Sequence, residues 1–271
     1  MALALPPTLS PSKVSAFKDC ALAFRFSVID GLPEPPSPAA VRGTLVHRAL
    51  EQLYCAEPPA RTRVAALAAL AQALAQARDH DGEYRQLGLE GEAEERFRAE
   101  AECLVHRYFE MEDPTTIRPI GIELLLEARL DGVRLRGIID RLELDADGEL
   151  VVTDYKTGRA PAPRYEQGRF GGVHFYAFLC EAVLGRRPAR VQLLYLGDGV
   201  TIVATPSEQS IRALERRVGA VWQAVERACA TDDFRPHPGP LCDWCAFQAH
   251  CPAFGGDPSA ARSAGTVMAG V

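Results

Sequence analysis

Hydrophobic and polar positions follow two different periods along the chain, and the change falls close to Ile117. Before it, apolar residues recur every three or four positions, which is the spacing of one face of an α-helix. Ser10 and Pro11 open the first such segment as an N-cap and a first helical residue. The pattern predicts helices over 10–24, 41–54, 60–80 and 83–111, and we interpret residues from about 58 to 115 as a helical insertion.

After Ile117, short apolar runs separated by turn residues predict β-strands. Three come in succession, and Asp147-Gly148 between the second and the third is a strong hairpin signal. A helix, two strands around Gly197-Asp198-Gly199 and a long amphipathic helix follow. This order predicts an α/β fold with a mixed central sheet flanked by helices and an N-terminal helical region. The predicted strands are 122–130, 133–144, 150–155, 191–196 and 200–204, and the predicted helices are 173–184 and 206–229.

Length and charge narrow the class of protein. The 271 residues carry a net charge of -6, which argues against a generally basic nucleic-acid coat but allows a local basic groove. There is no apolar run of about eighteen residues that would predict a membrane span. Residues 1–5 lack the basic start of a signal peptide, so we expect a cytoplasmic protein. Residues 255–271 are rich in Gly, Ala and Ser and are expected to be a disordered tail.

Two carboxylates and a lysine converge on the predicted hairpin. Asp154 and Lys156 are two residues apart, so on a strand both side chains point to the same face. Asp140, on the preceding strand, reaches that face if the two strands pair. Two carboxylates can hold a divalent cation, and a lysine beside them can stabilise an anionic transition state. The alternative interpretation is a surface hairpin with ordinary charges.

The cysteines suggest a second metal-binding feature. Without an export signal, the eight cysteines are expected in a reducing compartment, where clustering favours a metal over disulfides. Cys242, Cys245 and Cys251 have C-x2-C-x5-C spacing, and Cys20 at the end of a helical turn suits a fourth ligand. Four thiolates allow zinc or [4Fe-4S], and one distant cysteine plus three close ones favours iron–sulfur. A purely structural role also fits: a staple between the N-terminal helix and the C-terminal end. The others fall in helical patterns and are expected to pack as small apolar residues: Cys55, Cys103, Cys180 and Cys229.

Three short motifs occur together with these cysteines. They are Gly-x-x-x-His at 43–47, Gly-x-x-Asp at 137–140 and Asp-x-Lys-Thr-Gly at 154–158. The set resembles the PD-(D/E)XK nuclease superfamily, and within it the RecB-family exonucleases with a four-cysteine iron–sulfur cluster. It is similar to AddB nuclease domains and CRISPR-associated exonucleases. The resemblance covers about residues 9–254, and it implies a restriction-endonuclease-like fold in a single nuclease domain over 1–254, with a C-terminal cysteine cluster.

The resemblance also implies roles for individual residues. His47 lies only beside the apolar stripe of its helix, and the resemblance makes it a metal ligand. Mg2+ or Mn2+ would be bound by His47, Asp140 and Asp154, with the main-chain carbonyl of Tyr155 as a further ligand. Lys156 would orient the attacking water or stabilise the transition state, and it completes the catalytic set. A [4Fe-4S] cluster would be held by Cys20, Cys242, Cys245 and Cys251. DNA contacts are expected from Tyr176, Arg159, Arg164 and Arg169.

The activity implied is that of a metal-dependent deoxyribonuclease acting on single-stranded DNA or DNA ends. We expect an exonuclease of DNA repair or recombination, nucleoid-associated and working beside a helicase or repair partner. One departure is Gly172, which stands where the family carries the glutamine of Gln-x-x-x-Tyr, four residues before Tyr176. It leaves open a catalytically weak or inactive DNA-binding scaffold, and a zinc-stapled enzyme on other substrates is a third interpretation. Glu123 and Glu127 could also assist at the metal, or lie at a solvated position.

Overall fold

The backbone is described over residues 2–261, and side chains over residues 2–162 and 172–261, in a computed structural model. The N-terminal half is helical, as its period predicts. Its main helices are α1 Pro11–Asp19, α2 Ala21–Phe24, α3 Pro38–Tyr54, α4 Arg63–His80, α5 Gly82–Gln86 and α6 Glu92–Met111. A π-helical turn, Arg25–Ile29, follows α2. Ser10 accepts a hydrogen bond from the Lys13 amide, so the predicted N-cap is present.

The second half contains five strands: β1 Pro119–Leu130, β2 Val133–Leu144, β3 Leu150–Lys156, β4 Arg190–Tyr195 and β5 Val200–Ala204. They form one mixed sheet in the order β1-β2-β3-β4-β5. Strands β2 and β3 pair antiparallel, β3 and β4 parallel, and β4 and β5 antiparallel. The parallel pair requires a crossover, and α7 Pro163–Leu184 provides it. The predicted α/β class is therefore confirmed. Helix α8 Glu208–Thr231 follows the last strand.

Helix α7 begins ten residues before the start predicted at residue 173. Pro163 occupies its first turn, where a missing N–H costs nothing. The next two turns have a low helical propensity because they contain Gly168, Gly171 and Gly172. The sequence pattern therefore did not predict these turns as helical. Tyr176 therefore lies well inside a long helix.

The chain folds into two compact units. One comprises residues 36–126 and 138–208, and the other residues 1–35, 127–137 and 209–271. The first unit has a core of apolar side chains from α3, α4, α6, β3 and the end of β4, with Leu50, Leu70 and Val105 fully buried. In the second unit, Leu9 forms an isolated parallel β-bridge with Leu135, and the apolar face of α8 is buried. The single nuclease domain over 1–254 stays a prediction.

The first residues of the predicted tail, 255–261, are among those that the structure describes. Residues 258–261 form a helical turn, and Ala261 is fully buried. Residues 262–271, the rest of that tail, lie outside the described residues. Among the helices described, none is long and apolar enough to cross a membrane.

Candidate metal and catalytic site

His47 is presented by α3, a helix whose start is fixed by a cap. Ser37 accepts from the Ala40 amide and Pro38 follows it, as a capped helix start requires. One turn before His47, a side chain on Gly43 would place its Cβ 3.0 Å from the Thr157 hydroxyl. The glycine of the Gly-x-x-x-His motif thus lets α3 approach the segment that follows Lys156.

Asp140 and Asp154 are brought together by the pairing of β2 with β3. Arg141 pairs with Thr153, so the two aspartates come next along the paired strands. Asp140 Oδ2 accepts a 2.6 Å hydrogen bond from the Tyr155 amide. Asp154 is 2% exposed, and its Oδ2 lies 2.5 Å from the Lys156 ammonium. Both carboxylates are thereby oriented by neighbouring groups of the hairpin.

The His47 imidazole sits between a main-chain carbonyl and two carboxylates. Its Nε2 lies 3.1 Å from the Tyr155 carbonyl oxygen, and its Nδ1 lies 3.5 Å from Asp140 and 3.8 Å from Glu123. Burial lowers the pKa of this imidazole, but contact with Asp140 and Glu123 outweighs it and raises the pKa to about 10. Ligand atoms of His47, Glu123 and Asp140 all lie within 4.8 Å of one another.

Glu123 reaches this site through an irregularity in β1. Its φ of 44° is in the left-handed region, which a side chain adopts only at a cost. An irregular residue of this kind interrupts strand alternation and re-aims its side chain. Glu127, considered with Glu123 on the basis of i, i+4 spacing, instead forms a 3.8 Å ion pair with Arg136. Strand periodicity could not separate the two glutamates.

Burial and charge set the protonation of the remaining groups. Burial raises the pKa of Asp154, the Lys156 ammonium lowers it and Asp140 raises it, with a net upward shift. Burial lowers the pKa of Lys156, but Asp154 outweighs it, so the pKa is raised and the side chain stays an ammonium. The Tyr176 hydroxyl donates to Asp154 Oδ1 at 3.2 Å, and burial followed by the charge of Asp154 raises its pKa. Tyr176 therefore orients a carboxylate.

The basic loop after Lys156 is attached to the turn between β4 and β5. The Gly197 amide donates to the Gly158 carbonyl at 3.1 Å, and the Ala160 amide donates to the Asp198 carboxylate. A Cβ on Gly197 would lie 2.3 Å from that carbonyl oxygen, so only glycine fits. Arg159 is exposed on this loop. The side chains of Arg164 and Arg169 lie outside the described residues.

The donor set suits a hard divalent cation. Carboxylate and carbonyl oxygens are the ligands preferred by Mg2+ and Mn2+, and one imidazole is compatible with Mn2+. The 3.1 Å between His47 Nε2 and the Tyr155 carbonyl oxygen would allow the two atoms to bind one cation together. Of the predicted donors, His47 and Asp140 join Glu123 in a group that could hold such a cation, whereas the Asp154 carboxylate contacts Lys156 and Tyr176.

The four predicted thiol ligands are neighbours in the other compact unit. Burial raises the pKa of the Cys245 thiol, and Cys20, Cys242 and Cys251 lie close enough for their charge to raise it further. The amides of His237 and Gly239 each approach a thiol at 3.4 Å, those of Cys20 and Cys242 respectively. All four are free and partly exposed. The remaining cysteines differ: Cys180 and Cys229 are buried, as expected, whereas Cys55 and Cys103 are exposed.

The site combines acidic residues and a lysine at a β-hairpin of a mixed sheet with a histidine from a preceding helix. This combination is typical of a nuclease. The family model of the PD-(D/E)XK nuclease superfamily matches residues 8–252, and the chain belongs to this superfamily. This membership agrees with the expectation from the three motifs.

Two curated proteins and one solved structure are similar to this chain. The chain is 30% identical over 136 residues to the Gene 69 proteins of Mycobacterium phages L5 and D29. That match covers 49% of this chain and 45% and 48% of the two phage proteins, so it spans about half of their length. A crystal structure of a presumed exonuclease from Eubacterium rectale shares the fold, with a TM-score of 0.56 at 12% identity over 89% of this chain and 87% of that one.

Proposed function

We propose that this protein is a metal-dependent deoxyribonuclease that hydrolyses phosphodiester bonds of single-stranded DNA or DNA ends, as an exonuclease. The observation that carries the proposal is the convergence of His47, Glu123 and Asp140 within 4.8 Å, beside the Asp154–Lys156 ion pair. This arrangement combines cation ligands with a fixed positive charge, the combination that phosphodiester hydrolysis needs. We name these five residues, with the Tyr155 carbonyl, the metal site.

The roles of the residues follow from their positions. His47, Glu123, Asp140, Asp154 and the carbonyl of Tyr155 would hold the cation. Mg2+ or Mn2+ bound there lowers the pKa of a water molecule and offsets charge that builds up on the phosphate. As an ammonium with 45% of its side chain exposed, Lys156 can donate to the attacking water or to a phosphate oxygen. Water attacks phosphorus and releases a proton to solvent. The bond to the leaving deoxyribose oxygen breaks, and that oxygen takes up a proton from solvent.

The substrate belongs to the proposal as well. DNA is the substrate that the superfamily suggests, and exposed Arg159, three residues after Lys156, can contact a backbone phosphate. Arg164 and Arg169 continue the same basic segment in sequence. In DNA repair or recombination, a helicase or repair partner would supply the single strands.

A [4Fe-4S] cluster held by Cys20, Cys242, Cys245 and Cys251 is a separate part of the proposal. Its support is that the four thiols line one cavity and that two main-chain amides are directed at sulfur. Anaerobic purification followed by iron and sulfide analysis tests it, and a colourless protein with stoichiometric zinc would replace iron–sulfur by zinc.

Digestion of DNA labelled at one end at a time tests the nuclease. Single-stranded, double-stranded and end-blocked substrates are compared with Mn2+, with Mg2+ and with neither. We expect cleavage only with a cation and only from a free end. Cleavage of blocked substrates would contradict the exonuclease assignment but not the nuclease.

Gly172 supports one alternative, a DNA-binding scaffold with weak or no catalysis. The family glutamine is expected close to the DNA, and a glycine there removes its amide. Binding of single strands without any product in either cation would favour the scaffold.

A further inference from the structure

Arg141 is fully buried directly behind the metal site. It follows Asp140 in β2, so its side chain points to the opposite face of the strand. Its guanidinium binds both oxygens of Glu112 at 2.8 Å and lies 2.6 Å from Glu143. A buried cation with two carboxylate partners is held in one orientation.

The same guanidinium contacts three hydroxyl groups. Its Nη2 donates to the Thr153 hydroxyl at 3.0 Å. The Tyr54 and Tyr155 hydroxyls lie 2.8 Å from Nη1 and share its two hydrogens with Glu112. Its carbon also lies 5.1 Å from the centre of the Tyr54 ring and 5.7 Å from that of Tyr155. We name these groups, with Glu112 and Glu143, the Arg141 network.

Tyr155 belongs to both the Arg141 network and the metal site. Its side chain is 4% exposed and anchored by Arg141, while its amide holds Asp140 and its carbonyl faces His47. The two peptide groups that flank one anchored side chain therefore contact two of the cation ligands.

We propose that Arg141 is a positioning residue that, through the side chain of Tyr155, fixes the main-chain carbonyl and amide on which the geometry of the metal site depends. The inference rests on the proposed function, because it concerns how that cation is bound. Groups that support metal ligands typically change metal affinity by about 10- to 100-fold when they are altered.

The test uses Mn2+ binding as its readout. Tyr155→Phe removes one hydroxyl and keeps the main chain, and Arg141→Lys keeps the charge but cannot bind Glu112 at two points. Tyr84→Phe is the matched control, since the Tyr84 hydroxyl is also in a buried residue and donates to Glu94 away from the network. Binding is measured by calorimetry and by the electron paramagnetic resonance signal of free Mn2+, beside the thermal midpoint of each variant.

We expect Tyr155→Phe to bind Mn2+ about tenfold more weakly, Arg141→Lys at least as weakly, and Tyr84→Phe within twofold of the unaltered protein. In cleavage assays, the Mn2+ concentration for half-maximal rate should rise for Tyr155→Phe by the same factor as its dissociation constant for Mn2+, and should stay within twofold for Tyr84→Phe. A purely structural role would lower the thermal midpoint of Tyr155→Phe and Tyr84→Phe alike without this selective shift.

Unchanged Mn2+ affinity in folded Tyr155→Phe would overturn the inference, whether or not Arg141→Lys folds. Failure of the proposed function looks different, because the unaltered protein itself would then bind no Mn2+, and the positioning role would fall with it. Normal Mn2+ binding by all variants, with DNA cleavage intact, would remove the positioning role alone.

Discussion

The two candidate metal-binding regions of this protein are built in opposite ways. The metal site takes nitrogen and oxygen donors from regular elements, with His47 and Tyr155 separated by 108 residues. The four thiols include three within a short stretch of 3-10 turns, where Trp244 is 86% exposed. Hard donors suit Mg2+ or Mn2+, and thiolates suit zinc or iron–sulfur.

The difference concerns what holds the ligands before any metal arrives. Asp140 is oriented by the Tyr155 amide and Asp154 by Tyr176 and Lys156, so the fold itself shapes the metal site. Few buried apolar side chains lie in the thiol segment, where metal binding would supply much of the order. Losing the cation should stop chemistry, whereas losing the thiol-bound metal should loosen structure.

Chelation gives the largest contrast. Removal of divalent cations with EDTA is expected to abolish DNA cleavage, because the lysine alone cannot activate water, and added Mn2+ should restore it. Iron bound by four thiolates should remain in the protein throughout. Product release from end-labelled DNA and iron analysis of the same sample measure both. Cleavage that survives complete chelation would contradict the metal assignment.

Asp140→Asn is the next largest test. Loss of this carboxylate should lower the cleavage rate by a factor on the order of 10^3, since a bound cation contributes several kcal/mol to transition-state stabilisation. The thermal midpoint and the iron content are expected to stay close to their original values. A rate within tenfold of the original would show that Asp140 is not a ligand.

Glu123→Gln tests whether Glu123, and not the nearby Glu127, contributes to cation binding. We expect Mn2+ binding to weaken by about 10- to 100-fold, since a carboxylate near the cation is lost. Glu127→Gln is the matched control and should bind Mn2+ within twofold of the unaltered protein, because Glu127 pairs with Arg136. Equal effects of the two substitutions would refute the separation.

Cys245→Ser should have the smallest effect on cleavage. We expect loss of the iron and a lower thermal midpoint, but less than a tenfold change in cleavage rate at low temperature. The reason is that no thiol contributes to the metal site. A loss of cleavage as deep as that of Asp140→Asn would show that the two regions act as one.

Regular elements could be predicted because their residues follow a period. Strand β2, Val133–Leu144, has its predicted bounds, and β5, Val200–Ala204, does as well. Asp140, Asp154 and Lys156 were recognisable because alternation and a hairpin turn bring them to one face. The ligand role proposed for His47 was inferred from the motif at 43–47, because the apolar pattern of its helix alone did not indicate a role.

Other features depend on contacts that no local pattern encodes. The re-aimed side chain of Glu123 follows from a single backbone angle in a strand that otherwise reads as regular. The burial of Arg141 depends on partners from α3 and from the segment after α6. A charged residue in a strand is ordinarily read as exposed, and its sequence neighbours did not indicate otherwise.

The left-handed backbone at Glu123 lowers the stability of the fold, while the glutamate that it carries is proposed to serve activity. A side chain at φ 44° costs on the order of 1 kcal/mol, a cost that glycine avoids. Glu123→Gly is therefore expected to raise the free energy of unfolding in urea by about 1 kcal/mol while it weakens Mn2+ binding. Selection for thermal stability alone would remove this glutamate, and selection for turnover would keep it.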